Sequence, residues 1–141
     1  MTTIKAGGLL GGGLLLAVAV ILAPVPARAQ QAYDGSKPML CSLSYVMECD
    51  DNGQCERQTP EAKALPRFVR VDAAKRSLSA ADGARSVEIK SVSNGQGRLV
   101  IQGGDGGRGW SATIAEKTGL MAVAVVDDDA TFSVFGACMI P

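Results

Sequence analysis

From Cys41 onward, apolar and polar residues change places at nearly every step. Cys41, Leu43, Tyr45, Met47 and Cys49 fall on one side of an extended chain, and Ser42, Ser44, Val46 and Glu48 on the other. A period of two is the mark of a half-buried strand. It returns in Phe68, Val69 and Val71, and in Val87 and Ile89 against Glu88 and Lys90. Leu99 and Ile101 alternate with Arg98, Val100 and Gln102; Trp110, Ala112 and Ile114 with Ser111 and Thr113. Met121, Val123 and Val125 follow, and then Phe132, Val134, Gly136 and Cys138. Turn-forming residues separate these runs: Asn94-Gly95-Gln96-Gly97, the glycine stretch Gly103 to Gly109, Lys117-Thr118-Gly119 and Asp127-Asp128-Asp129. Short strands at about ten-residue spacing predict an all-β domain, a single antiparallel meander of roughly seven to nine strands forming a closed or nearly closed barrel or sandwich. Residues 56–66, with Pro60 and Pro66, read as a loop. Residues 72–82 fit either a short helix capped by Asp72 or a tight turn followed by another strand, and the β-branched runs on both sides favour the hairpin.

Ahead of this domain the pattern is different. Lys5 precedes an apolar run of 16 residues from Gly7 to Leu22, and Ala27-Arg28-Ala29 supplies a small-x-small site before Gln30. These features predict a secretory signal peptide over residues 1–29, cleaved between Ala29 and Gln30. The run is shorter than the ~20 residues a spanning helix needs, and Pro24 and Pro26 break it, so no integral membrane span is expected in the mature chain. The expected product is periplasmic or secreted, with a polar lead-in over residues 30–39 and the β domain over residues 40–141. Loss of Lys5 and Arg28 turns 14 basic against 14 acidic residues into 12 against 14, a net charge of −2. That balance favours neither nucleic acid nor an anionic membrane surface.

In an oxidising compartment an even number of cysteines points to disulfides, and the four here allow three pairings. The turn chemistry selects one. If Asp51, Asn52 and Gly53 form a three-residue loop with Gly53 left-handed, Asp50 faces Gln54 and Cys49 faces Cys55, within disulfide reach. Cys41 is then left for Cys138, each on the apolar side of a terminal strand, and a bond between them would join the two ends of the meander.

The absence of histidine excludes Ser-His-Asp and Cys-His sites and the common His-containing zinc and copper sites. With every cysteine oxidised no thiolate remains, and no Cys-x-x-Cys pair is present. Paired-carboxylate hydrolysis is not excluded by composition, with 14 acidic residues present. No pair of acids stands out, so neither an enzyme nor a cofactor is expected. Gly104-Asp105-Gly106-Gly107-Arg108-Gly109 spells a dinucleotide loop, but a strand pattern follows it instead of a helix, and a flexible hairpin loop is the better reading. The acidic turns Asp50-Asp51-Asn52 and Asp127-Asp128-Asp129 lack calcium-loop spacing and read as solvated turns, with a weak cation site as the alternative. Trp110 shares the parity of Ala112 and Ile114 and belongs to the core. Arg67 and Arg70 read as part of a solvated strand face.

The early Cys41, the segment Gly109-Trp110-Ser111 followed by Thr118-Gly119, and the ending Phe135-Gly136-Ala137-Cys138 resemble a loose group of small exported proteobacterial β-meander proteins with a cysteine near each end. No functional residue carries over from that group. Small periplasmic β-barrel inhibitors of lysozymes and proteases are similar in size, export signal and disulfide usage, though their inhibitory loop motifs are not found here. Two function classes follow as expectations. The first is an exported, non-catalytic binding or accessory protein, its partner a periplasmic protein or a small apolar ligand held in the barrel mouth or on a strand face. The second is a hydrolase inhibitor acting through loops, for which Asp50, Asp51, Asn52, Asp105 and Arg108 are the candidate recognition residues.

Overall fold

The computed structural model describes residues 32–141; the predicted leader and its cleavage site lie outside the described residues. Nine strands follow in order: β1 (Met39–Asp50), β2 (Cys55–Gln58), β3 (Phe68–Asp72), β4 (Ser77–Ala80), β5 (Ser86–Gly95), β6 (Arg98–Asp105), β7 (Arg108–Ala115), β8 (Leu120–Val126) and β9 (Ala130–Met139). All neighbours are antiparallel, and β9 returns to pair with β1 from Leu40↔Met139 to Asp50↔Ala130. The result is an eight-stranded closed barrel with one additional strand. The extra strand is β2, which shares an edge of β1 with β3: β3 pairs with residues 39–42 and β2 with residues 46–49. The polar stretch read as a loop thus contains a short strand, and its remainder holds a single 3-10 turn, Glu61–Lys63.

The predicted alternation is seen in most strands. Met39, Ile89, Leu99, Ile101, Ile114 and Val71 are almost fully buried and fill the barrel interior. Trp110 packs against this cluster, over Gly103, where a side chain would collide with the indole ring. In β1 the expected parity holds only to Leu43. The pairing with β9 shifts between Leu43 and Tyr45, so that Ser44 is an unmatched residue. A bulge of this kind reverses the side-chain alternation beyond it. Val46 therefore enters the core at 0 % exposure, whereas Tyr45, Met47 and Cys49, expected on the apolar side with Cys41, face outward. A second register shift, between Ile89 and Ser91, turns Val92 inward in β5.

Both disulfides form as the turn chemistry required. Cys41–Cys138 spans 97 positions and ties β1 to β9 inside the barrel; Cys49–Cys55 spans 6 and staples the first hairpin from outside. Gly53 takes φ +80°, with the Asp50 and Gln54 backbones hydrogen-bonded at 2.9 Å. Residues 72–82 are the β3–β4 hairpin, its turn braced by Lys75 N–H donating to Asp72 Oδ1 at 2.9 Å. The glycine stretch is tighter than a flexible loop. Strand pairing runs through to Asp105↔Arg108, and Gly106 and Gly107 alone turn the chain, at φ +59° and +86°. Two successive positive φ values are what a two-residue hairpin turn demands.

Neither end of the barrel is an open mouth. At the end where β1 begins, residues 33–36 cross the opening: Tyr33 N–H donates to Glu116 O at 3.0 Å, Asn94 Nδ2 to Asp34 O at 2.7 Å, and Gly35 sits on Leu99 and Ala73. The expected loose lead-in is, from Tyr33 on, a strap across the barrel. At the opposite end the β2–β3 connection folds in, with Pro60 fully buried and Leu65 packed on the core. Lys63 Nζ there meets the Glu48 carboxylate.

Candidate functional site

The loops singled out as recognition elements come together at one end of the barrel, but they are tied down. Asp50 Oδ1 accepts from the N–H groups of Asn52 (3.0 Å) and Gln54 (2.8 Å), and Asn52 Nδ2 donates to Asp51 Oδ1. Arg108 forms an ion pair with Asp127, and Arg85 Nη2 lies 4.0 Å from Asp105 Oδ2. The backbone N–H of Asp128 and then the Arg108 guanidinium hold the Asp127 carboxyl below the usual carboxylate range. The candidate residues thus serve turns and hairpin-to-hairpin ion pairs. Among the described residues, no group of three or more His, Cys, Asp or Glu side chains is placed to hold a metal ion.

Two concave surfaces stand out among the described residues. One, of about 530 Å³, lies beside the strap and is lined by Asp34, Ser36, Asn94 and Glu116 with Ala73, Ala74 and Val92. It brings two carboxylates to one cleft, the arrangement paired-carboxylate chemistry requires. Such chemistry needs one carboxyl that keeps its proton. Asp34 is pushed the other way, because the Ser36 side chain and its backbone N–H (2.9 Å) bond to its ionised form. Glu116 Oε1 accepts from Asn94 Nδ2 at 3.4 Å. These contacts fasten the strap.

The second concavity, about 420 Å³, lies on the outer wall, where Arg98, Thr113, Ala115, Leu120, Ala122, Phe135 and Tyr45 surround a floor that reaches Met121 and Gly136. Cross-strand register explains it. Outward positions form rows across the sheet, and one reads Val100, Thr113, Ala122, Phe135, Tyr45 from β6 to β1. Small side chains in the middle of the row and larger ones at its ends leave a trough. The bulge at Ser44 places Tyr45 there, with its ring stacked on Phe135 at 4.9 Å between centroids and covered on the other side by the Arg57 guanidinium at 4.2 Å.

The composition of this wall separates it from the rest of the barrel. Outward positions of β7 are Gly109, Ser111, Thr113 and Ala115; of β8, Leu120, Ala122, Ala124 and Val126; of β9, Thr131, Ser133, Phe135, Ala137 and Met139. With Leu40, Ser42, Tyr45, Met47 and Cys49 of β1 they form a face without one charged side chain. Leu120, Val126 and Met139 are 62 %, 57 % and 55 % exposed on it. The opposite wall presents Arg70, Asp72, Glu88 and Lys90. Two basic residues flank the trough of the neutral face, Arg98 on β6 and Arg57 on β2. The sequence carried a signal for this surface, in that the polar-side positions of β7, β8 and β9 hold Ser, Thr and Ala but no charge.

The chain matches no protein-family model, no curated protein and no solved structure.

Proposed function

We propose that this is an exported, non-catalytic binding protein that holds its ligand on the outer β6–β1 wall instead of in the barrel interior. The observation that carries this reading is the uncharged face with its trough, set on a barrel whose interior is filled by its own side chains. Exposed apolar surface that is contiguous marks interaction sites, whereas scattered apolar residues do not. A volume of about 420 Å³ lies within the range of small-molecule sites. Export rests on the leader pattern of residues 1–29, and the two disulfides favour an oxidising compartment. Inhibition of a hydrolase through the barrel-end loops has less support, since two- and three-residue turns held by internal hydrogen bonds and ion pairs project little.

Native mass spectrometry of the mature protein, purified without reductant from the periplasm of its host cell, tests this reading. The expected result is a retained mass that Ala122→Arg, in the trough, removes and Ser79→Arg, on the opposite wall, leaves in place. A retained mass indifferent to Ala122→Arg would move the site elsewhere.

A further inference from the structure

The chemistry of the wall narrows what it can hold. Arg98 lines the trough, and among the described residues it, like Arg57, Arg70 and Arg76, forms no ion pair, whereas Arg67, Arg85 and Arg108 each have a carboxylate. A guanidinium left unpaired at the edge of an apolar trough, on a face with no acid, complements an anion attached to an apolar body. From Arg98 on β6 to Tyr45 on β1 the trough crosses four strand spacings, about 19 Å, so its occupant is elongated.

Polar satisfaction decides between elongated occupants. The backbone groups beneath the trough already bond within the sheet ladders. An extended peptide laid across them would lose water from its own N–H and C=O groups and find few partners besides the Thr113 and Ser44 hydroxyls, at a cost for each group. An acyl chain has no such groups to satisfy. A second copy of this chain, docked wall to wall, would bring its own Arg98 and no acid from the wall itself to meet it.

On the reading that this wall is the binding face, we propose that the trough is a site for a long-chain fatty carboxylate, its chain lying across Thr113, Ala122 and Phe135 toward Tyr45 and its carboxylate on the Arg98 guanidinium.

The test is titration calorimetry of the mature protein with dodecanoate, and with dodecanol as the uncharged counterpart. Arg98→Ala removes the anion partner, and Ala122→Trp fills the trough at an outward position where the fold does not depend on the side chain. Equal melting temperatures establish that both variants fold. Expected are saturable dodecanoate binding, an approximately 10- to 100-fold loss on Arg98→Ala as for a charge-assisted hydrogen bond, dodecanol affinity unmoved by that variant, and loss of both ligands on Ala122→Trp. Equal effects of Arg98→Ala on the two ligands would overturn the carboxylate assignment and leave the wall as a binding face. Absence of binding, with a wall-dependent mass still present in native spectra, would overturn the acyl chain alone. Undiminished dodecanoate binding by Ala122→Trp would overturn the site together with the proposed function. Cosedimentation with phosphatidylglycerol vesicles in place of saturable dodecanoate binding would replace the proposal with a membrane-surface contact.

Discussion

The two halves of β1 pair with the same strand, β9, on either side of a register shift, yet they do opposite things. Residues 39–43 put Met39, Cys41 and Leu43 into the core, and Cys41 reaches across to Cys138. Residues 45–50 put Tyr45, Met47 and Cys49 on the outside, and Cys49 bonds to a residue 6 positions on. One unmatched residue, Ser44, separates them. The contrast shows that a cysteine's role here is set by the side of the bulge it occupies. The first half holds the barrel shut; the second supplies the aromatic end of the outer trough.

The largest expected difference lies between the two disulfides. In the chain-entropy account of crosslinks, a bond spanning 97 positions contributes about 4 to 5 kcal/mol and one spanning 6 about 2 kcal/mol. The former approaches the whole stability of a small domain. Cys41→Ser with Cys138→Ser should therefore leave a protease-labile protein, while Cys49→Ser with Cys55→Ser should resist limited proteolysis under the same conditions. The reverse ranking would mean that closure does not depend on the β1–β9 bond.

The bulge itself can be tested at adjacent residues. Val46→Ala, deleting methyl groups from a site at 0 % exposure, should cost about 1 to 2 kcal/mol in urea unfolding. Tyr45→Ala, on the outer face, should cost less in stability but weaken dodecanoate binding. If Tyr45→Ala were the more destabilising, the parity would be the uninterrupted one and the trough would lose its aromatic end.

The smallest effect concerns acid. The Ser36 side chain and N–H lower the pKa of Asp34, the Arg67 side chain that of Glu61, the Lys90 side chain that of Glu88, and the Asp128 N–H with Arg108 that of Asp127. A carboxylate with a depressed folded-state pKa contributes stability above its unfolded value and loses it as pH falls through the folded one. Melting temperature should hold steady from neutral pH to about pH 5 and decline modestly below about pH 4. None of the four is buried, so the decline should be shallow and should shrink further in high salt. A steep transition would point to a buried carboxylate.

Much of the fold was legible in the linear sequence because its causes are local. Side-chain alternation reports a strand to anyone who counts by two, and Asp51-Asn52-Gly53 specifies a turn that sets Cys49 against Cys55, which leaves Cys41 for Cys138. The glycine stretch was legible as a hairpin but not as a two-residue one, since only strand pairing distinguishes Gly106 and Gly107, which turn, from Gly103 and Gly109, which lie in the ladder. The sequence singled out recognition loops by their polar residues, but Asp50 and Asp51 are engaged within their own turn, and Asp105 and Arg108 pair with Arg85 and Asp127 of other hairpins. Such pairing between hairpins depends on strands far apart in the chain.

The sequence by itself determined most of the strands and turns, both disulfides and the lack of histidine, because each follows from residue type and short-range spacing. Closure decided the rest. Joining the first strand to the last requires unmatched residues where neighbouring strands must bend and twist to meet, and each such residue reverses the faces beyond it. For that reason only the tertiary structure put Val46 in the core and Tyr45 on the wall, folded residues 33–36 over one mouth, and gathered outward residues of strands distant in sequence into one uncharged face beside Arg98.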